Sequence, residues 1–212
     1  MLAVNVGRSE PLRTGRGDET RPSGIAKRPV EGAVPVDDLG LAGDRQVDRR
    51  VHGGPDKAVY VYSRAHTLYW REVLGRPDLD HGAFGENLSI EALAEHVVHI
   101  GDRFRVGDVL VEVTQPREPC WKLGARLGSP TLPKRFLASG RVGFYLRVLE
   151  PGEVAAGDAM TREHIDPARL SVAEIHRIRH FDRDDVEGAR RALDVAALSE
   201  AWRRPLAERL GR

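Results

Sequence analysis

The chain of 212 residues holds one cysteine, so no internal disulfide can form and nothing in it asks for an oxidising compartment. A cytoplasmic location is the resulting expectation. No run approaches the roughly 18 consecutive apolar residues that mark a membrane helix. The start, Met1 to Arg8, also lacks a basic segment followed by a long apolar stretch. Neither secretion nor a membrane is therefore expected. An excess of one charge is missing too: 33 Lys and Arg stand against 32 Asp and Glu, for a net charge of +1. That balance argues against nucleic-acid binding through bulk electrostatics, and it requires any basic site to be local.

Familiar phosphate loops are absent as well. No Gly-x-x-x-x-Gly-Lys-Ser/Thr occurs, and no Gly-x-Gly-x-x-Gly opens a helix after a strand. There is no cysteine-rich iron–sulfur motif, flavin fingerprint, internal repeat, heptad array or low-complexity tract. What is present is the material of a folded chain, 41% hydrophobic and 31% charged residues. At this length about 70% of the unfolded surface can be buried, in one large or two small domains.

Strand signals fill the first three quarters. After a short candidate at Leu2 to Val6, the Gly-, Pro- and Arg-rich stretch from Ser9 to Pro29 reads as a long surface loop, either a solvated basic loop or a lid over an anionic ligand. β-Branched and aromatic residues then predict strands at 58–62, 87–90, 103–106, 109–115 and 144–149. Gly107-Asp108 supplies a two-residue hairpin turn between the third and fourth of these. Ser63 to Leu74, closed by Gly75, and Thr131 to Ser139, closed by Gly140, read as short helices. Many short strands with few helices favour an all-β barrel or sandwich over a doubly wound sheet.

Strand signals cease after about Asp166. Ser171-Val172-Ala173-Glu174 is a capping box, a second helix is expected from about Asp182 to Leu193, and Leu198, Trp202, Leu206 and Leu210 recur at helical spacing around a disruptive Pro205. The expected organisation is therefore a mainly β domain over residues 1–165 and a small three-helix domain over 166–212.

Three segments carry residues fit for chemistry. Cys120 follows the strongest strand in Gln115-Pro116-Arg117-Glu118-Pro119-Cys120-Trp121-Lys122, where two prolines stiffen the turn and Arg117 and Lys122 bracket the sulfur. Positive charge favours a thiolate nucleophile or metal ligand, whereas a lone cysteine also serves as a small buried hydrophobe. The stretch from Gly40 to Lys57 combines Asp44, Arg45, Asp48, Arg49, His52 and the Gly53-Gly54 pair. It suits either close backbone approach to a ligand or a glycine turn with a surface salt network. In Gly82-Ala83-Phe84-Gly85-Glu86-Asn87-Leu88, the Glu86 and Asn87 side chains can recognise a heterocycle or simply close a turn. His81, His96 and His99 lack recognisable zinc-ligand spacing.

Ala26-Lys27-Arg28-Pro29-Val30, Gly43-Asp44 to His52-Gly53-Gly54, Phe84 to Leu88, Ile100-Gly101-Asp102 and Pro116 to Cys120 occur in that order, followed by Leu170 to Leu210. In this series the chain resembles the MOSC domain family over nearly its full length, and more closely its bacterial YiiM-type branch, whose barrel precedes a three-helix domain. The resemblance implies a MOSC-type β-barrel with short peripheral helices that binds the molybdenum cofactor (molybdenum-molybdopterin), a pterin dithiolene carrying a phosphate. Members such as the mitochondrial amidoxime-reducing components reduce N-hydroxylated compounds.

Carried over by residue, the resemblance implies Cys120 as metal ligand and catalytic residue. Lys27 and Arg45 match basic positions near the phosphate, and Asn87 matches a polar position near the pterin. Arg117 follows from its adjacency to the sulfur. His52, with Asp44, belongs to the branch signature. The implied partners are a small N-hydroxylated substrate and a separate flavin or iron–sulfur electron donor, with a homodimer left open. The alternative it implies is a non-catalytic carrier of the cofactor or of sulfur.

Overall fold

The computed structural model describes residues 1–15, 17–47 and 53–211. Its main sheet has eight strands, which the period-2 patterning largely anticipates: β1 (Ala3–Gly7), β4 (Lys27–Val30), β7 (Val59–Ser63), β8 (Leu88–Ile90), β9 (Arg103–Val106), β10 (Val109–Pro116), β11 (Phe144–Glu150) and β13 (Met160–His164). They lie in the order β13-β9-β10-β11-β7-β8-β1-β4. All neighbours are antiparallel except β7 and β8, where Val61 stands opposite Leu88. A smaller sheet joins β12 (Gly152–Val154), β5 (Val34–Asp37) and β6 (Gly40–Leu41), while β2 (Glu10–Arg13) and β3 (Thr20–Ser23) pair only with each other.

Two expectations need correction. The main sheet is not closed as a barrel, because its end strands β13 and β4 are not paired with each other. Pro29 in β4 lacks an amide donor, and β13 carries Arg162, Glu163 and His164; both are features of strands left at an edge. Nor is the stretch 9–29 a loop. It forms the β2–β3 hairpin, with Pro11 opposite Pro22, and the start of β4. These strands expose most of their side chains, so no apolar alternation marks them in the sequence.

The central strand β7 separates two cores. Val59 and Val61 join an aliphatic cluster with Val111, Val113, Phe144 and Leu146. Tyr60 and Tyr62 point the other way, into an aromatic cluster with Trp70, Phe84, Leu123 and Phe136. The second cluster is covered by α1 (Arg64–Leu74), α2 (Trp121–Leu127) and α3 (Leu132–Ser139). The α1 helix is capped as its sequence predicts: Ser63 Oγ accepts from the Ala65 amide, and Gly75 ends the helix in the left-handed region at φ 61°.

The last three helices are α4 (Val172–His180), α5 (Val186–Leu193) and α6 (Glu200–Arg209). Half of the expected capping box forms. Ser171 Oγ accepts from the Glu174 amide at 3.1 Å, but the Glu174 carboxylate pairs with Arg191 instead of reaching back. These helices share the aliphatic core of the sheet, to which they contribute Ile175, Ile178, Ala192, Trp202 and Leu206. Backbone bonds tie the two regions together: Ile100 N donates to Leu170 O at 2.9 Å, Val172 N to Val98 O at 2.8 Å and Ser199 N to Thr114 O at 3.2 Å.

Candidate functional site

At one end of the sheet, β3, β4, β7 and β11 surround a cleft together with the segments around Arg45 and Arg117. Its floor starts with a backbone crossing. An ideal Cβ on Gly24 would stand 1.9 Å from the Arg45 carbonyl oxygen, so only glycine lets these two chains meet. Arg45 N donates to Gly7 O at 2.8 Å, which fixes the same crossing from the β1 side. Arg45 thereby reaches the cleft from a segment without regular structure.

Beneath it lies a buried polar knot. Lys27 Nζ pairs with both carboxylate oxygens of Asp44. Asp44 also accepts from the Gly7 amide at 2.7 Å and from Asn87 Nδ2 at 3.0 Å. Burial lowers the Lys27 pKa, opposed by the Asp44 charge and hydrogen bond. The Asn87 amide is spent at both ends, since its Oδ1 accepts from Tyr60 N at 3.1 Å and its Nδ2 also donates to Asn5 O at 3.3 Å. Asn87 therefore braces Asp44, and Lys27 is a cation whose charge is met from within.

Glu86 is committed in the same way. Gly82 N, Phe84 N and Ser89 Oγ donate to its carboxylate at 2.7, 3.1 and 3.0 Å. Burial raises its pKa while the backbone donors pull it down. Of the two readings of the Gly82 to Leu88 segment, the turn is the one formed. The Gly54 position needs glycine for its φ of 90°, and an ideal Cβ there would meet nothing within 4 Å, so backbone crowding is not the reason for it. His52, Asp48 and Arg49 lie outside the described residues.

Arg117 lies under the cleft and not across it. Its guanidinium donates to Tyr60 Oη at 3.2 Å and to Phe84 O, and stands 4.7 Å over the Tyr60 ring. Desolvation works against its charge, the hydrogen bond to Tyr60 Oη works for it, and the net direction is upward. Burial in turn raises the phenols of Tyr60 and Tyr145, so both keep their protons at neutral pH. The Tyr145 ring lies tilted at 37° to Tyr60, with centroids 5.1 Å apart, and lines the cleft.

Cys120 is the residue just before α2 and is half-buried on the rim. The lining also holds Lys57 and Lys122, giving five cationic side chains against the carboxylates of Asp44 and Glu118. Among the described residues, Arg45 and Lys122 make no side-chain ion pair or hydrogen bond. The cleft thus offers positive charge to an anion beside a thiol. Of the expected site residues, Lys27, Arg45, Asn87, Arg117 and Cys120 all line it.

Sequence reasoning missed Tyr60 and Tyr145, which read as ordinary strand aromatics; their opposition across β7 and β11 requires the register Tyr145↔Tyr60. His81, His96 and His99 are not gathered, and among the described residues no group of three or more His, Cys, Asp or Glu converges to hold a metal. Among the same residues no helix is long and apolar enough to cross a membrane.

Residues 48–161 match the MOSC domain, and residues 170–211 match the YiiM-like, 3-alpha helix domain. The chain is 41% identical over 204 residues to Uncharacterized protein YflK of Bacillus subtilis, covering 96% of this chain and 90% of that one. It is 40% identical to Protein YiiM of Escherichia coli, over 90% and 86% of the two chains. A protein of Gibberella moniliformis named "Reductase" is 37% identical over 84% of this chain and 32% of its own length. The crystal structure of YiiM from Geobacillus stearothermophilus superposes with a TM-score of 0.84 at 34% identity, covering 99% of this chain and 97% of that one. With both its sheet and its helical tail accounted for, the chain belongs to the MOSC domain family, in the branch that carries a YiiM-like three-helix domain.

Proposed function

We propose that this chain is a molybdenum-cofactor-dependent reductase of N-hydroxylated compounds, working in the cytoplasm. The observation that carries the reading is the sole cysteine on the rim of a cationic cleft in which Arg45 and Lys122 have no partner among the described residues. The donor set fits the group. A thiolate suits molybdenum, and two uncommitted cations suit a phosphate. The "Reductase" name of the fungal relative supports the same class of chemistry.

In this reading Cys120 Sγ ligates the metal. Arg45 and Lys122 hold the phosphate, and Lys27 and Asn87 shape the floor through Asp44. When bound, the cofactor supplies the two-electron chemistry of the overall conversion R–NH–OH + 2e⁻ + 2H⁺ → R–NH₂ + H₂O. Protons come from the chain and from solvent. Burial lowers the pKa of Lys57, which makes its Nζ the readier donor, while the Tyr145 hydroxyl keeps its proton and can orient an oxygen atom by hydrogen bonding. The single cysteine leaves no iron–sulfur ligand set within the chain, so the electrons come from a separate flavin or iron–sulfur protein.

The test is the molybdenum content of the protein and of Cys120→Ser, both made in cells that produce the cofactor. Near-stoichiometric metal in the first and its loss in the second are expected. Absence of metal from both, with a persulfide on Cys120, would overturn the reading in favour of a sulfur carrier.

A further inference from the structure

From Pro119 to Leu149 the chain has six Lys or Arg and no Asp or Glu, although it carries 32 acidic residues in all. This stretch starts beside Cys120 and folds into α2 and α3. Both helices bury one side in the aromatic core, through Leu123, Leu127, Leu132 and Phe136, so their opposite sides look outward. An ideal Cβ on Gly124 would stand 3.1 Å from Pro133 Cδ, which sets the two helices against each other. On this outer face Lys134 and Arg135 are exposed, and Arg141 just beyond α3 is exposed too.

Arginines on other faces have carboxylates of their own: Arg105 pairs with Glu150 and Glu163, Arg177 with Asp182 and Asp185, and Arg191 with Glu174. Among the described residues Lys134, Arg135 and Arg141 have no ion pair. The carboxylates bordering α2 and α3 are already taken, Glu10 by Arg28, Asp78 by Arg76 and Glu118 by Arg179. The charge of this face is therefore left to be met from outside. Two aromatic side chains lie at its ends. Trp121, next to Cys120, is 40% exposed, and Phe181, just past α4, is 56% exposed. His176 donates through Nε2 to Leu137 O at 2.9 Å, and its ring lies 5.6 Å from that of Phe181, which brings Phe181 to the end of α3. Leu137 shares a side of α3 with Lys134 and borders a hollow that reaches Cys120. Exposed aromatics among unpaired cations are the composition of a protein–protein contact. A second copy is disfavoured as the occupant, because a two-fold contact would set this basic face against itself.

We propose that the outer face of α2 and α3, bounded by Trp121 and Phe181, is the docking surface for the electron donor, a small redox protein with acidic residues around its own cofactor. Opposite charge steers the donor to the side of the molecule on which Cys120 lies. Two encounters, each oxidising one reduced donor by one electron, supply the two electrons of the conversion given above. This inference rests on the reading of Cys120 as the metal ligand.

The experiment uses the molybdenum-loaded protein with two reductants, a reduced acidic flavodoxin and reduced methyl viologen, which needs no docking surface. Lys134→Glu/Arg135→Glu should bind flavodoxin at least about tenfold more weakly at low salt, with the gap closing near about 0.5 M salt. Flavodoxin-driven reduction of benzamidoxime should fall by a similar factor, while viologen-driven reduction and molybdenum content stay at the wild-type level. Lys134→Gln/Arg135→Gln should show a smaller loss and decides alone if the doubly reversed variant does not fold. Absence of flavodoxin binding to the wild type, or binding undiminished in these variants, overturns the inference. So does an equal loss in Arg190→Glu/Arg204→Glu, which changes the net charge by the same amount on α5 and α6. A single-stranded oligonucleotide that displaces flavodoxin and binds more tightly would make nucleic acid the occupant and overturn it as well. Flavodoxin binding that depends on Lys134 and Arg135, without turnover by either reductant, would leave the surface standing and sink the proposed reaction.

Discussion

Lys27 and Asp44 form a buried ion pair under the cleft, and Asn87 and the Gly7 amide complete the coordination of the carboxylate. A lysine that sequence reasoning assigns to an external phosphate is thus balanced internally. Removing Asp44 strands a charge among apolar neighbours, so Asp44→Ala should cost about 3–5 kcal/mol. Urea unfolding would read the loss, with a smaller one in Asp44→Asn, which keeps one of the two acceptor oxygens. A midpoint unchanged in Asp44→Ala would show that the pair carries no net stability.

Arg45 and Lys122 behave differently, because neither is tied to a carboxylate among the described residues. The double variant Arg45→Ala/Lys122→Ala should unfold at nearly the wild-type temperature yet retain several-fold less molybdenum after gel filtration, most clearly at low salt. Full retention of the metal would move the phosphate contact elsewhere in the cleft.

Gly24 makes a steric prediction. With the Arg45 carbonyl 1.9 Å from where a Cβ would lie, Gly24→Ala must push the two backbones apart. We expect a loss of about 1–3 kcal/mol. Metal loading should fall beyond what the stability loss explains, since Arg45 moves with its backbone.

Acid should weaken the fold in two stages. Burial holds the His180 pKa down at about 4, against 6.5 for the free side chain, so the unfolded chain binds more protons than the folded one between those values. Stability therefore falls as pH drops from 6.5 towards 4, and His180→Phe should flatten that slope. Glu95 acts lower. Burial works to raise its pKa, but His66 at 2.9 Å and the Gly143 amide at 2.8 Å outweigh it, and the net direction is downward from 4.5. Its contribution is present above pH 4.5 and is lost as pH falls through the lowered value. Urea midpoints at half-unit pH steps would separate the two.

The sequence was most legible where apolar alternation and capping coincide. The hairpin of β9 and β10, with Val106 paired to Val109 around Gly107-Asp108, follows from period-2 patterning and one turn. The strands β2, β3 and β13 escaped because exposed strands carry no apolar period, and β6 because two residues are too few to show one. At the site, the residue types near Cys120 were readable, but their commitments were not. Whether Asn87 faces a ligand or braces Asp44 depends on contacts between segments 43 residues apart.

The sharing of one core by the sheet and the last three helices also constrains synthesis. Met1 bonds to Asp158 O through its amino group, and β1 pairs with β8, so the first strand waits for residues made much later. Ile175, Trp202 and Leu206 come later still, and until they leave the ribosome the aliphatic face formed by Val111, Val113 and Leu146 has no cover. The nascent chain must therefore carry an uncovered sheet until α6 has emerged, a state in which apolar surface recruits chaperones or other copies of itself. Loss of α6, with the Trp202 and Leu206 side chains it contributes to that core, would matter more to this protein's solubility than its distance from the cysteine suggests.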